Sequence, residues 1–217
     1  MMIVGLTGSV GMGKTTTARA FRRLGVPVHD ADRMVHSLTA PGGAALDGIE
    51  AAFPGAVTAG RLDRAALGQR VFADPTALAR LEAILHPRVR RAQLAFLDRA
   101  ARRREPVVVL DVPLLLETGL DRWCDVVVVV SAPAAVQARR VLGRPGMTPA
   151  RLAAVLKNQM SDRDKRRRAD FVVATGLTIG AAYRRVRRIV ETLRRRRGRR
   201  WPFRGRLGRL RADSRPN

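Results

Sequence analysis

The chain has 217 residues, enough to bury a substantial core, and 42 basic against 18 acidic side chains give it a formal net charge of +24 at pH 7. A single cysteine, Cys124, excludes an intramolecular disulfide and a cysteine zinc site built within one chain. The strongest apolar runs, Val107–Leu110 and Val126–Val130, have strand length and are too short to cross a membrane as helices, while the positive charge suits polyanionic ligands such as nucleotides.

In chain order, Met2–Thr7 is an apolar strand that runs into glycines, and residues 14–24 follow with Ala18, Phe21 and Leu24 at helical spacing. Residues 26–29 form a second short strand, after which Asp30 caps a helix through Leu38. From 42 to 104 the pattern is almost wholly helical, interrupted at Pro54-Gly55, Asp74-Pro75 and Pro87. Residues 107–112 and 125–131 are β-branched runs without alternation, as strands covered on both faces are, with Cys124 a small buried residue at the entrance of the second. A helix over 133–142, a glycine and proline break over 143–149, and a cationic helix over 150–168 precede a fifth strand, 171–174. A closing amphipathic helix over 179–196 turns Ala182, Val186, Ile189, Val190 and Leu193 inward. Alternating strands and helices of this kind predict an α/β fold, a doubly wound parallel five-stranded sheet with right-handed crossovers. Residues 194–217 hold eleven arginines and one acid, Asp213, and this composition predicts a disordered tail without a specific duty. With no basic leader before Met2–Thr7, a cytoplasmic location is expected.

Gly8-Ser9-Val10-Gly11-Met12-Gly13-Lys14-Thr15 satisfies G-x-x-x-x-G-K-[ST] between the first strand and the first helix. Glycines let backbone N–H groups turn inward around a phosphate, the helix N-terminus adds partial positive charge, Lys14 reaches the terminal phosphate oxygens, and Thr15 offers a hydroxyl to Mg²⁺. Only three of the 42 basic residues are lysines, and one of them stands here, where a planar guanidinium would not fit a tight cradle. The motif alone leaves GTPases, motor ATPases and small-molecule kinases open. Asp30-Ala31-Asp32 lies at the carboxyl end of the second strand, the side on which the phosphate loop opens. Asp30 is read as the helix cap and Asp32 as the base that takes a proton from a hydroxyl attacking the γ-phosphate.

Five segments together resemble the dephospho-CoA kinase family from Ile3 to about Leu193. They are Gly5-Leu6-Thr7-Gly8-Ser9 leading into the phosphate loop, Asp30-Ala31-Asp32, Leu85-His86-Pro87, Asp111-Val112-Pro113-Leu114-Leu115-Leu116-Glu117, and Ala169-Asp170-Phe171-Val172. The resemblance implies a nucleoside-monophosphate-kinase-like architecture. Its P-loop kinase core comprises 1–29, 105–138 and 168–193, its helical CoA-substrate-binding part 30–104, and its mobile lid 139–167. It implies phosphorylation of the ribose 3′-hydroxyl of dephospho-CoA, the last step of coenzyme A biosynthesis. Gly11, Met12, Gly13, Lys14, Thr15 and Thr16 would wrap ATP; Asp32, His86 and Glu117 would meet the acceptor; Thr15 and Asp111 would hold Mg²⁺, partly through water. His86 has a second reading as a packed helix residue, and Glu117 as a loop brace. Cations flank the glycine break, Arg139, Arg140 and Arg144 before it and Arg163, Lys165 and Arg166 after, and the resemblance selects Arg140 and Arg144 as catalytic. The family's asparagine before the glycine after the fifth strand is here Thr175. The partners implied are the two small substrates, with no specific nucleic acid, no membrane, and a monomer or weak homo-oligomer. The alternatives are another P-loop small-molecule or nucleoside kinase and a P-loop nucleic-acid-binding protein.

Overall fold

The computed structural model describes residues 1–202 and divides them into two compact units, one of 1–29 with 99 onward and one of 30–98. The local sequence pattern is followed closely in the first unit. Strand β1 (Met2–Thr7) is buried throughout and pairs in parallel with both β5 (Val107–Asp111) and β6 (Val126–Ser131), and β6 pairs in parallel with β7 (Phe171–Ala174). With β2 (Val28–Asp30) at one edge the order is β2-β5-β1-β6-β7. Chain order reverses across β1, and the crevice beyond the carboxyl ends of its neighbours is where such sheets take ligands.

Both faces of this sheet are covered, which explains the unbroken valine runs. Val128, Val129 and Val130 are fully buried, as are Ile3, Val4 and Leu6, and each such side chain contributes about 1.5–3 kcal/mol relative to exposure. Helices α1 (Lys14–Arg23) and α9 (Ile179–Arg194) pack on one another and close one face through Phe21, Val186 and Ile189. Cys124 is buried at the entrance of β6, and burial, reinforced by Asp121 and Asp125, drives its thiol pKa upward.

Two expectations need correction in the first unit. The cationic stretch 150–168 is not one helix but two, α7 (Pro149–Lys157) and α8 (Asp162–Arg167), because the Ser161 hydroxyl caps a new start by accepting from Asp164 N. The stretch after Arg194, expected to lie free, is folded as far as Pro202: Arg199 N and Arg200 N both donate to Asp125 Oδ1 at 2.6 and 2.9 Å. The remainder of the expected tail, 203–217, lies outside the described residues.

The second unit has its own core of Ala45, Ile49, Phe53, Ala56, Leu67 and Ala77, with Leu81, Ile84 and Leu85 against it. It contains α2 (Ala31–Leu38), α3 (Leu46–Ala52), α4 (Arg64–Ala73) and most of α5 (Pro75–Arg102). It is not wholly helical: β3 (Val57–Thr58) and β4 (Arg61–Leu62) form a small antiparallel hairpin. Pro87 does not interrupt α5, which runs through it. The expected part 30–104 thus ends earlier as a unit, between Asp98 and Arg99.

Candidate active site

The segment after β1 turns back on itself because Gly11 and Gly13 take φ of 76° and 90°, a region that L side chains rarely enter. Crowding adds a second constraint: a Cβ on Gly11 would meet Val141 Cγ2 at 2.5 Å. Gly13 is the N-cap of α1, which has no side-chain cap and no acidic residue in its first turn. Its leading amides and dipole are thus left for an anion. Lys14 is half-buried and Thr15 exposed at the mouth of this loop.

Lys14 Nζ lies 2.6 Å from Asp111 Oδ1, and the Asp111 side chain is 3% exposed. The carboxylate stands at the end of β5, beside β1, so the register Leu6↔Asp111 delivers it to the loop that follows β1. A hydroxyl at Thr15 and a carboxylate at Asp111 are hard oxygen donors of the kind Mg²⁺ takes. Among the described residues no group of three or more His, Cys, Asp or Glu could hold a metal ion, so the remaining ligands would be phosphate oxygens and water.

The loop is held from behind by side chains far away in sequence. Gln137 Nε2 donates to Val10 O at 2.8 Å, and Val10 N donates to Gln159 Oε1 at 3.1 Å. Thr175 Oγ1 donates to Met12 O at 2.6 Å. Arg140, expected among the lid cations, donates from Nη2 to Thr175 O at 2.7 Å and from Nη1 to Thr175 Oγ1 at 3.2 Å and Gly11 O at 3.4 Å. Arg144 is exposed just beyond α6 (Ala134–Leu142). Thr16 is half-buried in the first turn of α1, and Met12 is buried, its Sδ accepting from Ala132 N at 3.1 Å.

Glu117 takes the bracing position. Its Oε1 accepts from Met160 N at 2.9 Å and lies 2.7 Å from Lys165 Nζ, which is completely buried. Burial works to raise the Glu117 pKa, but the Lys165 ammonium and the Met160 amide outweigh it and leave the carboxyl below its ordinary value. Lys165, one of the cations that flank the glycine break, is therefore an internal ion-pair partner. Nearby, Ser131 Oγ donates to Asp162 Oδ2 at 2.8 Å, tying the start of α8 to the end of β6.

The first unit thus assembles Gly11–Thr16, Asp111, Arg140 and Thr175 around one loop. Asp32 and His86 belong to the second unit. Asp30 caps α2 by accepting from Arg33 N at 3.0 Å, which leaves Asp32 exposed in the first turn. His86 is exposed on α5 rather than packed within its apolar side. Sequence reading missed Gln137, Gln159 and Lys165 as parts of the site.

A sequence model of the dephospho-CoA kinase family matches residues 2–179. A dephospho-CoA kinase of Mesorhizobium japonicum is 54% identical over 198 residues, 91% of this chain and 100% of that one. Another, from Paramagnetospirillum magneticum, is 61% identical over 166 residues, 76% of this chain and 78% of that one. A crystal structure from Thermus thermophilus aligns with a TM-score of 0.77 at 34% identity, over 88% of this chain and 96% of that one. The dephospho-CoA kinase of Campylobacter jejuni shares the fold at a TM-score of 0.66 and 21% identity, over 88% of this chain and 96% of that one.

Proposed function

The chain belongs to the dephospho-CoA kinase family and is an ATP-using kinase of coenzyme A biosynthesis, and we propose the residue roles by which it phosphorylates the ribose 3′-hydroxyl of dephospho-CoA to give CoA and ADP. The observation that carries the reading is the extent of the likeness. One continuous match over 2–179 takes in the phosphate loop, Asp32, His86, Asp111, Glu117, Arg140 and Arg144.

Gly11–Thr16 wrap the phosphates of ATP, with backbone amides on the oxygens and Lys14 turning from Asp111 to the β and γ positions. Asp32 accepts the proton of the 3′-hydroxyl as that oxygen bonds to the γ-phosphorus, and the bond to the bridging oxygen of ADP breaks. Mg²⁺, held by Thr15 and, partly through water, by Asp111, would supply neutralising charge to the phosphates. Arg144 meets the charge on the transferring phosphoryl group, and Arg140 supports it while holding the loop. Residues 139–167 act as a lid that excludes water, and 30–104 carries the acceptor, with His86 among the residues that meet it. Glu117 acts through the segment it braces. No helix among the described residues is long and apolar enough to cross a membrane, and we place the enzyme in the cytoplasm as a monomer or weak homo-oligomer.

The test is an acceptor panel in one ADP-release assay: dephospho-CoA, shikimate, nucleosides and nucleoside monophosphates, with the product identified by mass. CoA formation is expected. Turnover of another acceptor with none of dephospho-CoA would overturn the assignment.

A further inference from the structure

We infer that Thr175 and Gln137 are positioning residues that aim two amides of the phosphate loop from behind. The inference rests on reading this loop as the ATP cradle. A trans peptide is planar, so its C=O and the following N–H point in opposite directions. Fixing the carbonyl therefore fixes the amide. Thr175 Oγ1 holds Met12 O at 2.6 Å and thereby turns Gly13 N–H to the other side of the loop, the side left open for phosphate. Gln137 Nε2 holds Val10 O at 2.8 Å and does the same for Gly11 N–H. The two amides so aimed belong to the two glycines of this loop with positive φ, whose peptides have the widest choice of orientation without such anchors.

Thr175 is itself immobilised. It is 7% exposed, its N donates to Ser131 O at 2.9 Å, and Arg140 binds both its carbonyl and its hydroxyl oxygen. Its side chain also lies against the α face of Gly13: a Cβ built there would be 3.1 Å from Oγ1 and 3.4 Å from Cγ2. The hydroxyl supplies a donor in one fixed place and the methyl a wall. Threonine thus does here what a flexible side chain would do less well.

The experiment compares Thr175→Val, which keeps the wall and removes the donor, with Thr175→Ser, which keeps the donor. ADP and ATP affinities are measured by calorimetry without acceptor, and KM for ATP, KM for dephospho-CoA and kcat in the full reaction. Thr175→Val should weaken nucleotide binding and raise the ATP KM by about tenfold, the scale of one buried hydrogen bond. Thr175→Ser should stay within about threefold of the parent, and the acceptor KM should not move with either. Gln137→Met, made separately on the other anchor, should weaken nucleotide binding to a similar degree, and it decides the matter should Thr175→Val fold poorly. Parent-like nucleotide affinity in both Thr175→Val and Gln137→Met, an equal rise in the acceptor KM, or a serine variant as impaired as valine would overturn the inference. Nucleotide binding by the parent chain tests the cradle itself, independently of these variants.

Discussion

Lys14 Nζ and Asp111 Oδ1 stand 2.6 Å apart, joining the helix that follows β1 to the end of the neighbouring strand β5. The buried carboxylate keeps the ammonium extended at the loop mouth, so little reorganisation is needed when phosphate replaces it. Lys14→Met should lower kcat/KM by about a thousandfold, the scale of losing one preorganised donor to developing charge. Steady-state assays with far-ultraviolet circular dichroism as a fold control would check it. Asp111→Asn should reduce turnover and shift the Mg²⁺ requirement upward, read from an Mg²⁺ titration.

The Glu117–Lys165 pair is the buried electrostatic element most exposed to disruption. Lys165→Met leaves Glu117 without its ammonium and should destabilise the fold by about 3 kcal/mol, measured by urea unfolding. The sign of the pH effect follows from the lowered Glu117 pKa. Its stabilising contribution is complete above the unfolded-state value and is lost as pH falls through the lower folded-state value. The stability gap between the parent and Lys165→Met should therefore narrow in acid, as pH falls below the ordinary glutamate range.

Asp125 joins three backbone segments. Its Oδ2 accepts from Ile3 N at 2.8 Å, and its Oδ1 from Arg199 N and Arg200 N. Asp125→Ala orphans the amide of fully buried Ile3 and should cost about 2 kcal/mol, read from denaturant unfolding, with kinetic constants little changed.

Much of this was legible in local pattern. The strands 2–7 and 171–174 fall where apolar runs put them, and the phosphate loop stands between strand and helix as its motif requires. Other features carried a signal that went unread. Ser161-Asp162-Arg163-Asp164 is an N-cap pattern inside the cationic run, and it marks the start of α8. Lys165 is one of three lysines in an arginine-rich chain, and the argument that singles out Lys14 applies to it: a compact ammonium fits a closed pocket. The anchors of the phosphate loop had no local signal, because Gln137 and Val10 lie 127 residues apart and Thr175 and Met12 163.

The β3–β4 hairpin escaped notice for a different reason. Its two turn residues are Ala59 and Gly60, at φ 48° and 70°, and alanine at the first position hides the usual Asn-Gly signature. Ala59→Asn should relieve part of the left-handed strain and raise stability by about 0.5–1 kcal/mol, seen as a higher midpoint in thermal or urea unfolding.

The measurement that bears most directly on the proposed chemistry is Asp32→Asn, assayed for turnover with dephospho-CoA and, separately, for ATP binding by calorimetry. As general base, Asp32 should be worth roughly 100- to 10,000-fold in kcat, with ATP affinity unchanged within about threefold. A kcat equal to that of the parent, or a loss confined to ATP affinity, would contradict it.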